Sequence, residues 1–327
     1  MVSPRPDTLD YIARRFPGAG ITVLAGDAST RNFYRLSDPD GGSRVLMEYP
    51  GPFEPPTDDM RMGAIFRSAA LPVAAILDSS SEVGCLLLED LGNRTLESAL
   101  SAAGPSSEST RELLRRAVQL AVDVATRGTP ALAASDRADG PALDSARFRF
   151  EMDYFLEHFA AGLHRIRVPA DLRASLHALA DRAAEAGRAV LCHRDFHSRN
   201  LMVRDDGTLA MVDIQDARWG PDTYDLASLL RDAYVEFDHG WIEPLAEAYR
   251  ISLAQPPERG RFLERLARVS AQRMLKALGT FGYQVARMQR ERYITAIPRT
   301  QDRLRELLAG LAETRPLLDQ LTSAALL

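Results

Sequence analysis

The stretch that most restricts what this chain can fold into runs from residue 190 to 216, VLCHRDFHSRNLMVRDDGTLAMVDIQD. An apolar run over 189–192 breaks into His193, Arg194 and Asp195, and Asn200 follows with four residues between it and Asp195. A short apolar strand is expected over 201–203, Asp205-Asp206-Gly207 is a hairpin signal, and a second strand over 209–212 delivers Asp213. A carboxylate placed like Asp195 can accept the proton of an attacking hydroxyl. The amide oxygen of Asn200 and the carboxylate of Asp213 are the hard oxygen ligands that Mg²⁺ takes, few in number, with phosphate and water completing the octahedron. The H-R-D-x-x-x-x-N spacing matches the arrangement used for phosphoryl transfer. An acidic loop after a strand is common in α/β proteins. A spaced match inside a strand–loop–hairpin context outweighs that plain reading.

With 327 residues the chain can hold two domains and bury a sizeable core. The net charge of −5 lacks the basic surplus of a general nucleic-acid binder, so no nucleic-acid partner is expected. Almost every basic residue is arginine, and Lys276 is the only lysine. Cys85 and Cys192 stand in apolar, strand-like runs without C-x-x-C spacing, which suits buried thiols in a reducing compartment. Residues 1–16 have no apolar core of signal-peptide length, and no apolar run approaches a membrane span. The expectation is a soluble, cytoplasmic chain with no membrane partner.

Periodicity predicts a short amphipathic helix over 7–16, then strands over 21–24, 32–36 and 44–48. A helix over 57–70 follows, favoured at its start by Asp58 and Asp59, and then strands over 75–77 and 84–88 that end in Glu89-Asp90-Leu91-Gly92. Beyond Gly92 the pattern turns helical: 95–102, 109–127, 145–165, 171–186, then 222–234, 241–253, 258–288 and 298–324, with Pro298 suited to a first turn. The fold class is α+β. A β-rich small lobe over 1–91 carries five strands and a helix, and a mainly helical large lobe over 92–327 carries the loop and hairpin of the opening stretch.

The segments HRDFHSRN (193–200), VDIQDA (212–217) and GPDTYDLASLL (220–230) resemble the aminoglycoside-phosphotransferase and choline-kinase branch of the protein-kinase-like fold. Within that branch, GDASTRNFYRL (26–36), LLLEDLG (86–92), HRDFHSRNLMV (193–203), DIQDARWGPDTYDLASLLRDAY (213–234), QRMLKALGTF (272–281) and YITAIPR (293–299) are similar to the bacterial anomeric N-acetylmuramate/N-acetylglucosamine kinases of cell-wall recycling. These segments run along nearly the whole chain. The resemblance implies a two-lobed kinase-like fold and ATP- and Mg²⁺-dependent transfer to the anomeric hydroxyl of an N-acetylated amino sugar. It implies a small-molecule sugar as partner, and a monomer is expected.

Asp195 is the candidate base, or mainly an orienting group, because a hemiacetal hydroxyl is already more acidic than an ordinary alcohol. Asn200 and Asp213 are the candidate Mg²⁺ ligands. Asp216, with Gln215 beside it, can reach metal or a sugar hydroxyl, or cap the loop. His193 buttresses the loop from beneath, and His197 could reach phosphate, though a structural role suits both. Asp225, by the resemblance, braces the loop's backbone. The phosphate side has no G-x-G-x-x-G and no lysine on the third strand, where Glu48 stands instead. Cationic help is therefore expected from Arg31 or Arg35, with backbone N–H groups of 27–30, including Ser29 and Thr30, forming an anion nest. Glu48 is expected to pair with Arg61 or Arg67. Glu89 and Leu91 bracket a hinge whose backbone would meet the purine, leaving both ATP and GTP open. Gln272 and Lys276 share a helix face with Arg273 near them, and could meet an N-acetyl group, hydroxyls or a lactyl carboxylate. Arg218, Trp219 and Tyr224 are further candidates for the sugar. The competing readings are a kinase of another hydroxyl (aminoglycoside, choline or homoserine) and a nucleotide-binding pseudokinase, the latter suggested by the missing small-lobe lysine.

Overall fold

The computed structural model describes residues 3–24, 31–185, 187 and 189–327. The chain divides into two compact units, Met1–Arg94 with Met202–Asp216, and Thr95–Leu201 with Ala217–Leu327.

In the first unit α1 (Pro6–Arg15) precedes β1 (Gly20–Leu24), β2 (Asn32–Ser37) and β3 (Ser43–Glu48); α2 (Asp58–Ser68) then leads to β4 (Ile76–Ser80) and β5 (Cys85–Glu89). The strands form one antiparallel sheet in the order β1-β2-β3-β5-β4. Gly41, at φ +93°, turns β2 into β3, where a side chain would be strained. Alternation sends Tyr34 and Leu36 of β2 and Leu46 of β3 to one face, where they pack with Ile12 of α1 and Cys85 and Leu87 of β5. Thr57 caps α2 by accepting from the Met60 N–H. From Met202 onward, the short hairpin of Leu201–Val203 and Leu209–Met211 groups with this unit, whereas the sequence reading places it with the large lobe. Met211 N–H donates to Pro72 O at 2.8 Å, Val203 N–H donates to Arg94 O at 2.7 Å, and Arg204 pairs with Glu89 at 3.1 Å. Backbone groups left over by a two-stranded ribbon find their partners there.

The second unit is built on α10 (Arg259–Ala286), after α3 (Leu96–Ala103), α4 (Glu108–Asp123), α5 (Thr129–Ala133), α6 (Ser145–Phe155), α7 (Ala170–Ala184), α8 (Tyr224–Leu230) and α9 (Ile242–Ser252). Residues Phe262, Leu266, Val269, Leu275 and Leu278 of α10 are buried at three- to six-residue steps. It crosses α6 and the wide π-type turns of Leu156–Leu163 backbone to backbone. A Cβ on Gly282 would lie 2.5 Å from His158 O, and one on Gly279 would lie 2.9 Å from Phe155 Cα. The expected single tail helix is α11 (Ala296–Gly310) and α12 (Arg315–Ser323), divided where the Thr314 hydroxyl donates to Leu308 O and Leu311 O. The helix expected over 222–234 stops at Leu230, because Asp232 turns its carboxylate to the Ser198 and Tyr234 N–H groups. A strand that periodicity missed, Arg218–Pro221, pairs antiparallel with Ala189–Cys192. Among the described residues no helix is long and apolar enough to cross a membrane.

Candidate functional site

In the second unit, strand Ala189–Cys192 ends in a loop that its neighbours hold at several points. Asp225, at the start of α8, accepts the N–H groups of His193 (2.6 Å) and Arg194 (3.0 Å). Arg194 adopts φ +82°, a conformation unusual for a side-chain-bearing residue, and the pair of bonds holds it there. Burial raises the Asp225 carboxyl, and its donors offset that only in part. Asn200 Nδ2 donates to Asp195 O at 3.0 Å, and Ser198 N–H donates to Asp232 at 2.7 Å. His193 is buried, and its ring makes a T-shaped contact with Phe196.

The Asp195 carboxylate accepts from Lys276 Nζ at 2.9 Å, and Arg194 and Arg273 each stand 3.9 Å away. Burial pushes the Asp195 carboxyl up, but Lys276, Arg194 and Arg273 together outweigh it and hold the group well below the usual carboxylate range. Burial lowers the Lys276 ammonium, with Asp195 opposing. Arg273 donates to Arg194 O at 2.6 Å and lies 4.4 Å above the Tyr224 ring. Tyr224 is itself stacked on Phe148. Gln272, four residues before Lys276, is fully buried and donates to Glu151 Oε2 at 2.8 Å. Gln272 Oε1, the Tyr224 hydroxyl and His197 Nδ1 are buried with no hydrogen-bond partner among the described residues. A cavity of about 130 Å³ opens here, lined by Asp195, His197, Arg231, Arg273, Lys276 and Phe281 among others. Neither Arg231 nor Glu151 was singled out from the sequence. Glu151 did leave a signal, being one acid among Phe148, Met152 and Phe155 on the buried side of α6.

In the first unit, Arg31 reaches Asp59 of α2 at 2.6 Å and Asp213 at 3.5 Å. Tyr49 donates to the other Asp59 oxygen at 2.6 Å. Asp213 adopts φ +63°, accepts from Gln215 Nε2 at 2.9 Å, and keeps a side chain that is 45% exposed. Arg35 is committed elsewhere. It forks onto both Asp90 oxygens, at 2.5 and 2.9 Å, and reaches Asn93 at 2.6 Å. Of the two arginines weighed for the phosphate side, Arg31 is therefore the one that stands beside Asp213. The expected pairing of Glu48 with Arg61 or Arg67 is corrected: Glu48 is buried and accepts from Arg5 N–H (2.9 Å), Asn32 (3.1 Å) and Tyr34 (3.2 Å). The inward face of β3 directs it to these groups. Burial raises the Glu48 carboxyl and the donors more than reverse this, so its pKa is lowered.

Glu89 and Leu91 line a second cavity of about 270 Å³ with Ser43, Gly92, Arg204 and Asp205. The Glu89 N–H is taken by Ala75 O at 2.8 Å, and its carboxylate accepts from Ala75 N–H at 3.1 Å. Ser29 and Thr30, with the rest of the expected anion nest, lie outside the described residues. Asp216 ends the first unit, and Arg218 begins strand Arg218–Pro221 in the second. The Trp219 indole donates to Ala138 O at 2.8 Å. Among the described residues no three His, Cys, Asp or Glu side chains cluster as a metal cage. Asn200 lies in the second unit and Asp213 in the first, and each by itself carries a hard oxygen donor of the type a divalent ion takes. Asn200 donates its amide nitrogen to the loop, and the Asp213 carboxylate is half-exposed.

Set beside known proteins, residues 20–263 match the model of the phosphotransferase enzyme family. Four curated relatives bear the name N-acetylmuramate/N-acetylglucosamine kinase. The one from Neisseria meningitidis serogroup B is 29% identical, covering 91% of this chain and 88% of the relative. The one from Pseudomonas aeruginosa is 29% identical, covering 86% and 82%. Among solved structures, the choline kinase LicA from Streptococcus pneumoniae superposes with a TM-score of 0.62 at 14% identity, over 91% of this chain and 97% of that one, a likeness of fold.

Proposed function

From the premise that the chain belongs to the phosphotransferase enzyme family and is a phosphotransferase acting on an alcohol acceptor, we propose that it phosphorylates the anomeric hydroxyl of an N-acetylated amino sugar. N-acetylmuramate and N-acetylglucosamine are the acceptors, ATP is the donor, and the sugar 1-phosphate formed enters the re-use of cell-wall sugars in the cytoplasm. The names of the relatives support the sugar. The observation that carries the acceptor chemistry is the ring of Lys276, Arg273 and Arg194 around Asp195 at the edge of a cavity.

In the reaction the acceptor oxygen forms a bond to the γ-phosphorus as the bond to the β,γ-bridging oxygen breaks. ADP leaves, and the hydroxyl proton passes toward Asp195 and on to solvent. A carboxylate held far below its usual range is a weak base, so it serves best with a hydroxyl that is already acidic. A hemiacetal hydroxyl meets that condition better than an ordinary alcohol does. Because the transition state is loose, orientation of the acceptor by Asp195 contributes more than proton abstraction. Asn200 in the second unit and Asp213 in the first are each an oxygen donor that would serve a divalent ion, which would supply charge neutralisation on the phosphates. Arg31, kept in place by Asp59, is the chain's own cation for the phosphate side.

Two other acceptor classes fit less well. A pocket for choline or an aminoglycoside should present uncommitted acids to a cation. Here the cavity carboxylates Asp195 and Asp232 are already engaged, by Lys276 and by the Ser198 and Tyr234 N–H groups. The deciding experiment incubates the protein with ATP and a divalent cation against N-acetylmuramate, N-acetylglucosamine, glucosamine, choline and kanamycin, with phosphorus NMR of each product. An anomeric phosphate on the N-acetylated sugars is expected. Turnover of choline or kanamycin alone would overturn the reading, and nucleotide binding with neither ADP formed nor any acceptor phosphorylated would favour the nucleotide-binding alternative.

A further inference from the structure

Arg231 directly follows the last residue of α8, and it lines the same cavity as Asp195 and Lys276. Among the described residues none makes a hydrogen bond or an ion pair with its side chain. Burial is the main influence on its guanidinium, lowering its pKa, and nearby Arg303 adds to this while Glu306 opposes it. The other charges of the lining are matched within the fold. Lys276 pairs with Asp195, Arg273 donates to Arg194 O, and Asp232 accepts from two backbone N–H groups. Arg303 is likewise spent on the carbonyls of Asp232 and Val235, at 2.6 and 3.2 Å. Ser228 Oγ, also on the lining, is buried without a partner among the described residues. A cation partly withdrawn from water beside a second cation, with no counter-charge in contact, is unfavourable unless a ligand brings an anion. A planar guanidinium fork suits a carboxylate, which can accept two parallel N–H bonds.

We propose that Arg231 seats the carboxylate of an acidic acceptor, so that of the two amino sugars the one carrying a lactyl group, N-acetylmuramate, is bound through this residue. The inference rests on the sugar-kinase reading above and adds to it the group that separates the acidic from the neutral sugar. The anion binds alike in ground state and transition state, because the carboxylate takes no part in the chemistry. Its loss therefore appears in KM rather than in kcat.

The test measures kcat and KM for N-acetylmuramate and for N-acetylglucosamine with the unaltered protein, Arg231→Gln and Arg231→Lys, together with the Tm of each. Arg231→Gln is expected to raise KM for N-acetylmuramate by roughly 10- to 100-fold, the size of a lost charge-assisted contact. The ratio of the two KM values should shift by nearly the same factor, and Arg231→Lys should recover part of it. Parallel losses on both sugars with a lowered Tm would assign Arg231 to the fold and overturn the proposal, as would an unchanged ratio. If the unaltered protein phosphorylates neither sugar, the sugar-kinase reading falls and takes this inference with it. That result is distinct from turnover of both with discrimination unmoved.

Discussion

Asp195 is surrounded by more positive charge than a proton acceptor needs. Burial pushes its carboxyl up, yet the cations at 2.9 and 3.9 Å keep it ionised. On the kinase reading proposed above, its value lies in direction: an ionised oxygen fixed by Lys276 can take one hydrogen bond from the acceptor hydroxyl and aim that hydroxyl's lone pair at the γ-phosphorus. Asp195→Asn removes the charge and keeps the shape, so kcat is expected to fall ~10²- to 10⁴-fold. ATP affinity by calorimetry should move less than about twofold, since Asp195 lines the cavity proposed for the acceptor. A near-native kcat in a coupled assay would take Asp195 out of the mechanism. Arg31 makes the opposite prediction. Lacking a lysine on β3, the first unit offers a guanidinium clasped by Asp59 and 3.5 Å from Asp213. Arg31→Ala should raise KM for ATP about tenfold while the sugar KM holds; an unchanged KM for ATP would reject that role.

At the scale of elements, α10 both spans the second unit and carries Gln272, Arg273 and Lys276 to the cavity region. Its depth is set where Gly279 lets its backbone approach Phe155 at the end of α6 and Gly282 lets it approach His158 in the turns that follow. Gly282→Ala would put a methyl 2.5 Å from His158 O, and backbone there cannot swing aside as a side chain would. Overpacking of this kind costs ~1–3 kcal/mol, so Tm should fall by several degrees and the sugar KM should rise as Lys276 is displaced. Gly310, at the end of α11, has nothing within 4 Å of a built Cβ, and Gly310→Ala is the matched control, neutral or slightly stabilising. Equal Tm values for the two variants would refute the close-approach argument. The sequence announced the length of α10 through its apolar steps but not its depth, because two glycines in LGTFG read locally only as a loss of helix propensity.

For the whole molecule, the proposed use of Asp213 as a hard oxygen ligand predicts that nucleotide and metal bind as a pair. Nucleotide with a divalent cation, at about a hundred times its Kd, should stabilise the fold by ~2.7 kcal/mol. Nucleotide with a chelator should do much less and should support no turnover. Asp213→Ala should bring the two thermal shifts together, and equal shifts in the unaltered protein would remove Asp213 as a metal ligand. The chain by itself determined what depends on near neighbours: the helical and strand periods, the turn chemistry at Asp206-Gly207, and the HRDFHSRN loop, whose residue types and spacing define its chemistry. Only the tertiary structure decided the partners. Lys276 meets Asp195 across 81 positions, Arg35 meets Asp90 across 55, and Glu48 turns to Arg5 rather than to the following helix. With 40 basic and 45 acidic side chains, pairings are too many for spacing to select. The choice falls to packing, which buries some charges beside a partner and left Arg231 beside another cation.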